Sequence, residues 1–279
     1  MEPSQNRSPG EAPPPAGAPW DLPIDEAPLA FLDLEMTGLR VGEDRVVEVC
    51  IERVRGGVVE ARVDRIVDPQ GKRGAEHVHG LGDASFASAP TFAEIADEIV
   101  EVLEGAAVIA HGAAWDLAFL DDELTRLGKK ERAPVHAIDT LILCRRAFHL
   151  PSYALSKVAA SLGIVVERAH RAKDDVTTMR AVFSRLMVEL APTTPRDLWG
   201  VRVNERAPRE AIVAALEEAL QKGAAIDVIY RPAHRGPERL TIVLTSLVPP
   251  HAIGYLLPGR GRRELRVDRI LRIEPESST

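Results

Sequence analysis

A chain of 279 residues that is 45% hydrophobic and 4% aromatic has apolar material enough for one large domain or two modest ones. Its formal net charge of −7 excludes a protein that grips nucleic acid by bulk positive charge. Binding an anionic polymer would require metal ions or a local basic lip. From Arg196 onward 14 Lys and Arg stand against 11 Asp and Glu, so the acidity is concentrated upstream. Two cysteines, Cys50 and Cys144, are too few for a disulfide framework and sit in apolar surroundings, as buried reduced thiols do. No basic-then-apolar signal pattern is present, and no run approaches the ~18–20 apolar residues of a membrane span. A cytoplasmic location with no membrane partner is expected.

Residues 1–26 are rich in Pro, Ser, Gly and Ala and lack apolar periodicity, which predicts a disordered or extended tail. Trp20 is its one large aromatic group. The apolar run Leu29 to Leu34, bounded by Pro28 and Gly38, reads as a buried strand. A loop, Arg40 to Asp44, leads to a strand from Arg45 to Arg55. The Gly56-Gly57 turn returns the chain as Val58 to Val67. Gly71 to Ser88 is irregular and carries His77 and His79. Pro90-Thr91 opens a helix with an apolar stripe of Phe92, Ile95, Ile99, Val102 and Leu103, stopped by Gly105. Ala106 to Ala110 is a short buried strand ending in His111-Gly112, and Ala113 to Leu127 a helix. Pro134 to Ile138 is a strand, with Asp139-Thr140 capping a helix that runs to about Phe148. Leu155 to Leu162 and Asp174 to Leu190 complete the helices of this part. The order fits a mixed sheet covered by helices, the α/β class. Pro192 to Pro195 is a break. Beyond it come one helix, Pro208 to Lys222, and strands at Ile226–Arg231, Leu240–Val248, Ile253–Leu257 and Leu265–Ile273.

Side chains two apart on a strand share a face, so Asp33 and Glu35 point the same way and Leu32 and Leu34 the other. Two carboxylates side by side in a partly buried strand repel, and a hard divalent cation with oxygen ligands relieves them. D-x-E alone is short, and equally describes a strand end with two solvated acids. Asp116 lies in the first turn of a helix, where any acid is favoured by the dipole. His170 and Asp175 stand five apart at a loop-to-helix junction, next to Asp174, which is equally an N-cap. Together, four acids at the ends of separate elements and one histidine are what a two-metal phosphoryl-transfer site needs.

This set resembles the DEDDh 3'–5' exonucleases, the family that includes the epsilon subunit of bacterial DNA polymerase III. Phe31-Leu32-Asp33-Leu34-Glu35-Met36-Thr37-Gly38 is similar to its first motif, Val108 to Leu120 to its second, and His170 to Asp175 to its third, H-x4-D. Ile138 to Leu141, Leu150 to Leu155 and Leu162 to Ile164 match its connecting segment, and Val78-His79-Gly80-Leu81 falls where it has an H-G-I loop. The resemblance covers roughly Ala27 to Leu190 and implies a ribonuclease H-like fold. It implies that Asp33, Glu35, Asp116 and Asp175 hold two Mg2+ or Mn2+ ions, with Asp33 touching both. His170 would be the general base, and Glu35 would also help orient the water. Met36, Thr37, Gly38, Leu39 and His111 would lie against the terminal nucleotide, and the product would be a nucleoside 5'-monophosphate. The implied partner is the 3' end of single-stranded DNA or RNA, with a polymerase or repair complex as a further partner class. The opening Asp33 to Leu39 is also close to that of oligoribonucleases, which keeps an RNA substrate open. A sensing regulator that uses the fold as a scaffold is the third reading.

Val201 to Pro275 resembles the C-terminal part of WYL domains, which have an Sm-like small β-barrel. Gly254-Tyr255-Leu256 stands where the family's W-Y-L would, with Gly254 replacing the Trp. Arg260, Arg262, Arg263, Arg266 and Arg269 form a candidate nucleic-acid surface, or a solvated arginine-rich hairpin. The expected organisation is a disordered tail at 1–26, an exonuclease domain at 27–191, a linker at 192–200 and a WYL-like domain at 201–279.

Overall fold

The computed structural model describes residues 13–71, 73–129, 133–166, 169–201 and 208–274. The first twelve residues of the expected tail, and residues 202–207 and 275–279 of the expected C-terminal domain, lie outside them. Two compact units are present. One contains the residues up to Leu141, Ala154–Phe183 and Thr194–Arg196; the other contains Ile142–Tyr153, Ser184–Thr193 and the residues from Asp197 on. The division is therefore not a single cut in the sequence.

The elements are, in chain order, β1 (Leu29–Met36), β2 (Val46–Arg55), β3 (Val58–Ile66), α1 (Glu76–His79), α2 (Asp83–Phe86), α3 (Phe92–Leu103), β4 (Ala107–Ala110), α4 (Ala114–Arg126), β5 (Ala137–Asp139), α5 (Thr140–Ala147), α6 (Leu155–Ser161), α7 (Ala172–Leu190), α8 (Pro195–Trp199), α9 (Glu210–Lys222), β6 (Ala225–Tyr230), β7 (Glu238–Val248), β8 (His251–Leu257), β9 (Gly261–Arg266) and β10 (Ile270–Ile273). In the first unit a mixed sheet runs β3-β2-β1-β4-β5, with β1, β2 and β3 antiparallel and β4 and β5 parallel to β1. Alternation decides what each face carries. Leu32 and Leu34 of β1, with Val49 and Ile51 of β2, enter a core with Phe92, Ile95 and Ile99 of α3 and Phe119 and Leu120 of α4. On the opposite face, Phe31 of β1 meets Phe183 of α7 edge-on, with ring centroids 5.3 Å apart. Glu48 and Glu52 of β2 point there too, paired with Arg171 and Arg180 at the start and middle of α7.

Residues 13–26, expected to be disordered or extended, are held by contacts with distant residues. Trp20 is buried and lies edge-on to His136 at 6.0 Å. Arg196 donates to the carbonyls of Pro14 and Pro15 and to the Asp21 carboxylate, while its own N–H donates to the Trp20 carbonyl at 3.0 Å. A guanidinium offers five donors in a fixed fork, enough to hold a segment that has no secondary structure of its own. The irregular stretch after β3 contains two single-turn helices, α1 and α2, too short to leave a period in the sequence. The break at 192–200 contains α8.

The second unit has a five-stranded antiparallel sheet in the order β10-β6-β7-β8-β9. Ile212 and Leu216 of α9 pack on Val228, Ile242, Leu244, Ala252 and Leu265. The expected single strand Leu265–Ile273 is broken by a 3-10 turn, Val267–Arg269. Among the described residues β9 and β10 are the two edges, so the closed barrel of an Sm-like module is not seen. A Cβ at Gly254 would run into the Val243 carbonyl and the Ile242 side chain. That packing explains why a glycine, and no Trp, occupies this position.

Phe119 has no exposed surface and sits where α4 meets the first sheet. Phe119→Ala is expected to cost about 3–5 kcal/mol. Urea unfolding followed by far-UV circular dichroism reads it, and an unshifted midpoint would contradict the packing.

Candidate active site

Asp33 and Glu35 sit on the α7 face of β1, where the β1–β2 register sets Asp33 opposite Cys50 and Glu35 opposite Glu48. β1 ends at a register shift after Glu35, and the chain turns sharply through Met36 to Asp44. Thr37 and Asp44, both buried, close that turn. The Thr37 hydroxyl donates to Asp44 Oδ1 at 3.1 Å and accepts from the Arg45 N–H at 3.0 Å, while Arg40 N–H donates to Asp44 Oδ2 at 2.9 Å. Gly38 lies so close that a Cβ would overlap the Asp44 carboxylate, and Gly74 presses equally closely on the Thr37 carbonyl. The Thr37 side chain is thus spent inside the turn. Outward the turn presents backbone, Leu39, which is 67% exposed, and the paired side chains of Arg40 and Glu43.

Asp116 arrives from the first turn of α4. It is only 7% exposed, and its Oδ1 accepts the Leu34 N–H of β1 at 3.1 Å, which anchors α4 beside the strand that carries Asp33 and Glu35. The turn before α4 is fixed from β5. Asp139 Oδ1 accepts from Gly112 N–H and Leu141 N–H, both at 2.9 Å. The Thr140 hydroxyl donates to the Ala110 carbonyl at 3.1 Å and lies 2.9 Å from His111 Nδ1. A hydroxyl has one proton, so with it given to Ala110 the Thr140 oxygen accepts from His111 Nδ1–H.

His170 and Asp175 come from the start of α7. His170 is exposed and holds a left-handed backbone, φ +63°, uncommon outside glycine. Its N–H donates to Asp175 Oδ2 at 2.9 Å. Ligand atoms of Glu35, His170 and Asp175 all lie within 4.8 Å of one another, the spacing of groups that share a cation. Asp174 is not in this group, so the five-residue spacing from His170 selects the acid that faces Glu35. Asp33 and Asp116 stand outside the group of three but next to it on β1 and against β1.

One contributor, Glu48, was not singled out from the sequence, and a second, His79, was named there only as part of the Val78–Leu81 loop pattern. Glu48, 1% exposed, accepts two bonds from Arg171 Nε at 3.1 Å, one from Arg171 Nη2 at 2.7 Å and one from Ala172 N–H at 3.1 Å. His79, also buried, accepts the Leu81 N–H on Nδ1 at 3.0 Å, which leaves Nε2–H to donate to the Gly74 carbonyl at 2.9 Å. His79 therefore holds Gly74 against the Thr37 turn. A glutamate in an otherwise apolar strand, Val46-Val47-Glu48-Val49, was the signal available for the first.

The electrostatics of the face are those of unneutralised acids. Burial, then the charges of Asp116, Asp175, Glu35 and Glu48, push the Asp33 carboxyl well above the usual carboxylate range. Burial and the charges of Asp175 and Glu48 take Glu35 to about 7 against a partial relief from Arg171. Burial takes Asp116 to about 8, although it accepts the Leu34 N–H. Asp175 is raised by burial. Four oxygen-donor acids so destabilised as anions suit one or more hard divalent cations, which prefer carboxylate ligands.

The residues from 30 to 183 match the family model for exonuclease, RNase_T. Among curated relatives, the DNA polymerase III subunit epsilon of Treponema pallidum (strain Nichols) is 29% identical over 184 residues, covering 62% of this chain and 82% of that protein. The protein of the same name from Aquifex aeolicus (strain VF5) is 30% identical over 164 residues, covering 57% of this chain and 80% of that protein. The solved structure of the nuclease domain of 3'hExo, a DEDDh family member, bound to rAMP, has the same fold. Its TM-score is 0.51 at 17% identity, over 68% of this chain and 99% of that one.

The raised carboxyls predict a sign for metal and pH effects. An acid whose folded pKa lies above its unfolded value, about 4, stabilises the metal-free fold below that value and loses the contribution as pH rises through the folded pKa. For Glu35 and Asp116 the loss extends up to about pH 7–8. Millimolar Mg2+ or Mn2+ should therefore raise the melting temperature more at about pH 8 than at about pH 6. EDTA should reverse the gain. A metal-induced shift that is larger at the lower pH would contradict the site's charge balance.

Proposed function

This chain belongs to the RNase_T exonuclease family, a 3'–5' exonuclease of the DEDDh type with a ribonuclease H-like fold, and we propose that it releases nucleoside 5'-monophosphates from the 3' end of single-stranded DNA. The observation that carries the mechanism is the convergence of Glu35, His170 and Asp175 within 4.8 Å. Asp33, Glu35, Asp116 and Asp175 would hold two divalent cations, Mg2+ or Mn2+, which supply Lewis-acid stabilisation of the charge that develops on the phosphate. His170, exposed on the rim, takes one proton from the attacking water while Glu35 orients it. The water oxygen bonds to phosphorus, the bond from phosphorus to the preceding nucleotide's O3' breaks, and that oxygen is protonated from solvent. The Met36–Leu39 turn seats the terminal nucleotide with backbone groups and the exposed Leu39 side chain, with His111 alongside. The names of the epsilon relatives favour DNA as substrate and a polymerase or repair complex as the setting.

Two alternatives predict different outcomes. The oligoribonuclease-like opening Asp33 to Leu39 favours short RNA. A scaffold regulator needs no intact acid set, whereas all four acids and His170 are present. A contribution from the β8–β9 hairpin is a separate part of the proposal. Arg260, Arg262 and Arg263 are exposed and, among the described residues, form no ion pair. Arg266 is instead engaged by Asp268, at 2.8 Å, and Arg269 is partly buried, so neither is as available as the other three. Tyr255 is 43% exposed and faces Arg262 across the strands, a pairing that suits a base stacked on the ring with its phosphate on the guanidinium.

A 3'-end hydrolysis assay on end-labelled single-stranded DNA, mismatched duplex, short RNA and long RNA tests the proposal. Single-stranded DNA should be shortened fastest, Asp33→Ala and EDTA should abolish turnover, and His170→Ala should lower kcat by roughly 10²–10⁴. Activity retained in Asp33→Ala would refute the site. For the hairpin, replacing Arg260, Arg262 and Arg263 together by Ala should reduce the slope of log affinity against log salt by about 2. An unchanged slope would remove that surface from the proposal.

A further inference from the structure

Glu48 is a fifth buried carboxylate on the active-site face, and the acid set described above does not use it. The register places it directly across from Glu35, and it is 1% exposed. Its oxygens accept four contacts from three donors: the Arg171 Nε–H, shared between both oxygens, an Arg171 Nη2–H and the Ala172 N–H. Both partners follow His170 without a gap in the chain. His170 in turn is pinned on its other side by the bond from its own N–H to Asp175, and it holds a left-handed backbone that a side chain adopts only when its surroundings impose it.

We infer that Glu48 is the positioning residue that sets the reach of His170 and Asp175 toward Glu35, by clamping the chain at Arg171 and Ala172 onto β2. The inference rests on the exonuclease reading of the site. Arg171 has a second part in it. Its charge already acts on Glu35 from where Glu48 holds it. With Glu48 neutralised, the guanidinium is released next to Glu35 and competes with a cation for that carboxylate. The clamp therefore keeps an arginine that must sit beside the site from occupying it.

The same strand contains an internal control. Glu52 lies four residues on, on the same face and also 1% exposed. It too is bound to α7, through Arg180, and to β3 through Arg62. Glu52 ties the same two elements together nine residues, about two and a half turns, beyond Arg171. If the clamp is merely structural, Glu48→Gln and Glu52→Gln should behave alike. If Glu48 positions the site, the two should separate.

The experiment compares Glu48→Gln, Glu48→Asp, Glu52→Gln and His170→Ala in the full chain. Three measurements apply: melting temperature, Mn2+ affinity by isothermal titration, and kcat and KM on single-stranded DNA across pH. Both Gln variants should lose melting temperature. Glu48→Gln alone should lose roughly 10- to 100-fold in kcat and weaken Mn2+ binding by a similar factor. It should also flatten the pH–rate limb that His170→Ala abolishes. Glu48→Asp should recover part of the loss. Equal effects of Glu48→Gln and Glu52→Gln on kcat and on Mn2+ affinity would overturn the inference. Loss of the exonuclease reading would show separately, as a His170→Ala variant and a wild type that turn over alike.

Discussion

Crowding of negative charge on one face of one sheet is the constraint on which the first unit depends. Asp33 and Glu35 on β1 and Glu48 and Glu52 on β2 all point toward α7, and Asp116 reaches β1 from α4. Buried acids of like sign are costly in proportion to how little surrounds them that is positive. The fold divides them into two classes. Glu48 and Glu52 are neutralised by Arg171, Arg180 and Arg62, and Glu123 of α4 is similarly held by Arg45 and the Val46 N–H. Among the described residues no arginine forms an ion pair with Asp33, Glu35, Asp116 or Asp175, and burial raises their carboxyls. The paired acids fasten helices to the sheet, and the unpaired ones are what the fastening positions.

The division also explains the location of the apolar core. Leu32, Leu34, Val49 and Ile51 give their whole side chains to the opposite face, where α3 and α4 pack. That face is apolar and buried, so β1 and β2 cannot slip by a residue without moving leucines to the charged side and carboxylates into the core. The register that puts Glu35 opposite Glu48 is therefore enforced by hydrophobic burial on the far side of the strand. Chemistry on one face is aligned by packing on the other.

Much of this was legible in the amino-acid order. Alternation in Leu32-Asp33-Leu34-Glu35 gave the two faces, and the His170 to Asp175 spacing picked the acid that meets Glu35. Elements with a clear period, such as the Phe92–Leu103 helix, were found close to their ends. Glu48 was not visible, because a single glutamate in a strand carries no local sign of which arginine will reach it across 123 residues of chain. His79 was visible only as part of a loop pattern, since its two hydrogen bonds depend on a backbone path that no periodicity specifies. The anchoring of residues 13–26 was not legible because composition reports what a stretch lacks and says nothing of a distant guanidinium. The open second sheet differs from the expected barrel because closure depends on how strongly edge strands coil, which short motifs do not encode.

The Arg196 anchor has a consequence for how the chain is made. Residues 14 to 21 are made well before their partner, which lies 175 to 182 positions downstream. At about 5–20 residues per second, translation leaves residues 14 to 21 without that anchor for some ten to thirty seconds. Residues 14 to 21 are thus fastened by their arginine only after the catalytic sheet has been synthesised.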